Sequence, residues 1–158
     1  MDCAAVLSKS RPSILDESFS VVDRSHLHYE SAGEELTRER LAMLFDLVVG
    51  AIDSRDLSEV TGYAGTVARE RFGQGYDIGD VQAAFNALEE SMWRHVVAST
   101  DLADLAEATG LLSTVLGAGK DVLARTYVSL ATRRHVGSLD LTAMFAGTQA
   151  HPQPESAD

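Results

Sequence analysis

Three observations predict an all-α fold, a bundle of about five to seven helices. Apolar residues recur at three- and four-residue spacings over most of the chain, which places them on one face of successive helices. Glycines and short polar runs punctuate these stripes, and no two-residue alternation marks a strand. At 158 residues with 45% apolar content, the chain is long enough for one core, burying about 70% of the surface its unfolded form exposes. The expected organisation is one helical domain over residues 1–147 and a tail, rich in small and polar residues and Pro152 and Pro154, disordered over 148–158.

Residues 4–24 form a first helical stretch, with Pro12 interrupting it or starting its second part. Residues 25–35 are a polar connection containing Gly33. From Thr37 to about Ser54, Leu41, Leu44, Phe45, Val48 and Ile52 share a face, with Thr37 as the expected N-cap and Glu39 in the first turn. Asp56 or Ser58 caps the next helix, which carries Val60, Tyr63, Ala64, Val67 and Ala68 and stops near Gly73, while Gly62 and Gly65 permit close packing. After Gly73-Gln74-Gly75-Tyr76, Asp77 starts a helix with Asp80 in its first turn. Its buried face is Ile78, Val81, Phe85, Leu88, Met92 and Val96, flanked by Trp93 and His95.

Beyond Asp101, Leu102, Leu105, Thr109, Leu112, Leu116, Leu123, Tyr127 and Leu130 step almost as heptads. The stripe resumes in phase at Leu123, so one long helix is expected to run through Gly117 and Gly119. A short amphipathic piece with Leu139, Leu141, Met144 and Phe145 is a candidate docking segment.

Composition excludes several functions. A formal charge of −11 repels phosphate backbones and anionic lipid, so neither nucleic acid nor a membrane is an expected partner. The cluster Arg133-Arg134-His135 reads as a favourable charge at a helix end. One cysteine, Cys3, leaves no intramolecular disulfide, and the first residues lack the basic start and apolar core of a signal peptide, so a cytoplasmic protein is expected.

No catalytic pattern emerges, and an enzyme is not expected. Gly73-Gln74-Gly75 has no following Lys-Ser/Thr, and no serine sits in Gly-x-Ser-x-Gly. Glu34-Glu35 and Glu89-Glu90 are adjacent pairs whose side chains diverge on a helix, as solvated faces do. His26 and His28 lie two residues apart with no cysteine or further histidine at ligand spacing, so no metal and no cofactor is expected.

The run Ala68-Arg69, Arg71, Gly75-Tyr76, Ile78 and Val81, then Leu88 and Trp93, and downstream Asp121, Leu123 and Tyr127, resembles the N-terminal domain of RsbR-type regulators. These are the RsbT co-antagonists of bacterial stress signalling, and the resemblance covers residues from about 4 to 134. It implies a globin-like helical bundle, usually without haem, that forms dimers and passes a signal to an output domain. The tail is too short for such a domain, so the output is expected in a separate signalling protein.

Two functions are then open. One is a homodimeric interaction module, with Phe85, Leu88, Met92, Trp93, Leu112, Leu116, Leu123 and Tyr127 as the dimer or partner interface. The other is a sensor with a globin-like cavity for haem or a small apolar molecule, in which His95 is the candidate haem ligand and Phe45, Val48, Phe85, Leu88 and Leu112 line the space.

Overall fold

A computed structural model describes residues 2–25 and 33–138. They form six helices and no strand: α1 (Cys3–Lys9), α2 (Arg11–Ser25), α3 (Glu34–Ser54), α4 (Ser58–Gly73), α5 (Ile78–Ser99) and α6 (Leu102–Ser138). The connector histidines His26 and His28, the segment carrying Leu139, Leu141, Met144 and Phe145, and the expected tail lie outside the described residues.

Local chemistry sets most boundaries. Asp2 caps α1 by accepting from Ala5 N at 2.8 Å, and Pro12 falls in the first turn of α2, where its missing N–H is harmless. Helix α3 begins at Glu34, three residues before the expected cap. Gly33 supplies a φ of 81° at the entry, Glu34 and Glu35 favour the first turn electrostatically, and Thr37 sits a turn inside. The Thr37 hydroxyl donates back to Gly33 O at 3.1 Å, so it serves the helix interior and caps nothing. For α4, Asp56 is the acceptor: its Oδ1 takes bonds from Ser58 N and Ser58 Oγ at 2.9 and 2.7 Å. These donors hold the Asp56 carboxyl below its ordinary range.

Helix α4 ends in a Schellman turn, with Tyr76 N donating to Arg71 O and Gly75 N to Phe72 O. Gly75 takes the left-handed φ of 83° this turn needs. Asp77 then caps α5. The Tyr127 hydroxyl of α6 donates to Tyr76 O at 3.1 Å, and Phe72 meets the Tyr127 ring edge-on at 5.6 Å, fixing the turn against α6.

Helix α6 is continuous through Gly117 and Gly119, as the in-phase stripe predicts, and packs chiefly on α4 and α5, while α2 packs on α5. Gly119 explains the closeness: a Cβ there would stand 3.2 Å from both Phe85 Cε1 and Val60 Cγ1. At Gly65 a Cβ would stand 3.7 Å from Val122 Cγ1, an ordinary contact, and at Gly62 it would meet nothing, so neither glycine is required for close packing. One core runs from Leu7 and Ile14 through Phe45, Val48, Phe85, Leu88, Met92 and Leu112 to Leu123 and Tyr127. Leu102, expected on the buried stripe, is exposed, because only from Leu105 does α6 reach the bundle.

Candidate functional site

Helix α5 is buried along one face and meets α2 on one flank and α6 on the other. Its outward side carries Asn86, Glu90, Trp93 and Val97 at spacings of four, three and four, a single helical stripe. Trp93 is 39% and Val97 45% exposed, and with Ala98 they form a shallow, mainly apolar depression bordered by Glu89, Glu90 and Arg94. Polar ties frame it. On the α6 side, Lys120 pairs with Glu89 and reaches Asn86 Oδ1 at 3.5 Å. On the α2 side, Arg94 stands 3.4 Å from Glu17.

The Glu17 carboxylate is the centre of that second tie. Ser91 Oγ donates to its Oε2 at 2.6 Å, and His95 Nε2 lies 3.1 Å from its Oε1. The Ser91 hydroxyl, foremost, holds the Glu17 carboxyl below the usual glutamate range, against the upward push of burial. Ser91 and His95 bond separate oxygens of one carboxylate, so the group is a clamp between α2 and α5, not a serine activated by a histidine.

The structure separates the sequence-predicted interface residues. Phe85, Leu88, Met92, Leu112, Leu116, Leu123 and Tyr127 lie at 7% exposure or less within the chain's own core. Trp93 alone of that set offers surface. A haem does not fit the residues present. The imidazole Nε2 of His95 is engaged by Glu17, and Phe45, Val48, Phe85, Leu88 and Leu112 fill one another's space. No group of three or more metal-ligating side chains occurs among the described residues.

A separate crevice of about 250 Å³ lies where α3 and α5 end and α6 begins. Arg55 crosses it, at a left-handed φ of 61°, donating to Ile52 O at 2.7 Å and to Glu107 Oε1 at 3.1 Å. Cys3 is buried at its edge, and burial pushes its thiol pKa up, which makes it a poor nucleophile.

Sequence reasoning did not single out Glu17 and treated Arg71 only as part of a pattern. Nothing local marks either: the partners of Glu17 lie 74 and 78 residues away, and the burial of Arg71 depends on three helices meeting.

The family described as the RsbT co-antagonist protein rsbRD N-terminal domain matches residues 13–140. The chain belongs to this family. Membership of the rsbRD N-terminal domain family makes it a stress-signalling regulatory domain, of a kind not known for catalysis. No curated protein and no solved structure matched the chain. The residues that carry the rsbRD-type pattern do structural work here: Gly75 turns the chain, Tyr76 anchors it to Tyr127, and Val81, Leu88 and Leu123 fill the core. No helix among the described residues is long and apolar enough to cross a membrane.

Proposed function

We propose that this rsbRD-type domain acts by protein contact, pairing with a second copy through the outward face of α5 and binding a separate signalling protein to deliver its output. The observation that carries the reading is the exposed Trp93–Val97 stripe on a helix whose other large apolar side chains, Val81, Phe85, Leu88, Met92 and Val96, are buried in the core. An apolar strip rimmed by ion pairs is the usual make-up of an interface centre, and tryptophan is enriched at such centres.

Charge on the strip is self-complementary. Glu90 makes no ion pair among the described residues, and Arg94 lies one turn on. An antiparallel two-fold contact centred between them sets Glu90 of each copy beside Arg94 of the other. Each copy also carries −11, so the two bodies repel at long range and added salt tightens the pair. The same charge favours a signalling partner with a basic contact face.

Sedimentation of the wild type and of the Trp93→Glu, Val97→Glu double variant tests this. A wild-type dimer and a folded monomeric variant support the α5 contact. Two species of equal mass, both folded, overturn it.

A further inference from the structure

Arg71, near the end of α4, is 4% exposed and carries a full charge. Buried charges are ordinarily matched by an opposite charge, because leaving water is expensive without one. Arg71 has no carboxylate within ion-pair distance among the described residues. It donates one hydrogen bond, from Nη1 to the neutral Gln74 Oε1 at 3.0 Å, and its cation lies 5.8 Å from the centre of the Tyr76 ring. A guanidinium has about five N–H donors, so most of its capacity is unused.

Those donors are not sealed in by apolar atoms. Among the described residues, the single fully shielded polar side-chain atom lacking a hydrogen bond is Thr100 Oγ1, far along the chain. The space beside Arg71 is a pocket where α3, α4 and α5 meet, about 30 Å³ in volume. Arg40 and Tyr63 line it with Arg71, and Leu44, Val81 and Phe85 supply apolar walls. Burial raises the Tyr63 phenol pKa, so Tyr63 keeps its proton and is a donor at neutral pH.

Among the described residues, two cationic side chains and a phenol line this space and no acid does. We infer that the pocket at Arg71 is a binding site for a small free monocarboxylate of the formate, acetate or propionate class, held by the guanidinium, with any short alkyl end against Val81 and Phe85. The volume suits this class. About 30 Å³ holds roughly two water molecules, which the two oxygens of a carboxylate replace on a matching fork of N–H donors. Phosphate, with no apolar end, leaves the Val81 and Phe85 wall unused. The site lies apart from the outward stripe of α5 and stands whether or not that stripe binds a second copy.

The full chain titrated with sodium acetate, propionate and hexanoate, against sodium chloride at matched ionic strength, tests the site by NMR and by melting temperature. Saturable shifts of Tyr63 and Phe85 resonances and a rise in melting temperature with acetate or propionate are expected, fading at hexanoate. Arg71→Met should fold, melt no lower than the wild type without ligand, and lose the response. If Arg71→Met fails to fold, Tyr63→Phe serves, with a weakened response expected. Shifts that never saturate, or that chloride reproduces, overturn the inference. A carboxylate response absent in the wild type, together with loss of self-association in Arg71→Met, assigns the pocket to an acidic side chain of a partner and equally overturns it.

Discussion

Ser91 of α5, fully buried, donates its hydroxyl to the Glu17 carboxylate of α2 at 2.6 Å, across 74 residues of sequence. It is the buried end of a clamp whose other members, His95 and Arg94, reach the same carboxylate from nearer the surface. Ser91→Ala removes the hydrogen bond to a charged group. Because Glu17 is half-exposed and can rehydrate, a loss of about 1.5 kcal/mol is expected in urea unfolding, the low end for such bonds.

The clamp also sets a pH dependence. Glu17 titrates below the ordinary glutamate value in the fold, so its ionised form contributes stability above that value, lost as pH falls through the lower folded pKa. Wild-type melting temperature should therefore drop on acidification through and below the usual glutamate range. In Glu17→Gln that part of the acid slope disappears while the neutral-pH melting temperature is already lower.

The glycines of α6 separate by environment. Gly110 is exposed and a Cβ there meets nothing, so Gly110→Ala should stabilise by about 0.5–1 kcal/mol through helix propensity. At Gly119 the Cβ stands 3.2 Å from Phe85 and Val60, and Gly119→Leu should destabilise by about 1–3 kcal/mol or more. Equal effects in thermal unfolding would contradict the packing described.

Leu116 is wholly buried in the core. Leu116→Ala should cost about 2–5 kcal/mol in chemical denaturation and leave the oligomeric state of the folded fraction unchanged. Dissociation without loss of stability would return Leu116 to an interface role.

Much of the fold was legible because helix stripes, caps and glycine turns are local. Asp77, Pro12 and the Gly73–Tyr76 turn act where the sequence predicts, and the phase of Leu112, Leu116 and Leu123 correctly carries α6 across two glycines. Thr37 misled because Gly33, a less obvious cap, starts α3 earlier. The proposed contact surface was the least legible part. An apolar stripe looks the same whether a neighbour in the same chain or in another fills it, and here α6 is used by α4 and α5. Trp93 stands apart from the other expected interface residues because it lies one step off the Leu88–Met92 row and turns outward.

Trp93 is the chain's single tryptophan and sits at the centre of the proposed contact, so its fluorescence reports that contact directly. The measurement is Trp93 emission through a dilution series, with sedimentation on the same samples. The account predicts a blue-shifted emission at high protein concentration that moves red on dilution as dimer gives way to monomer, with salt displacing the transition to lower concentration. An emission maximum that stays fixed while the protein sediments as a monomer throughout would contradict it.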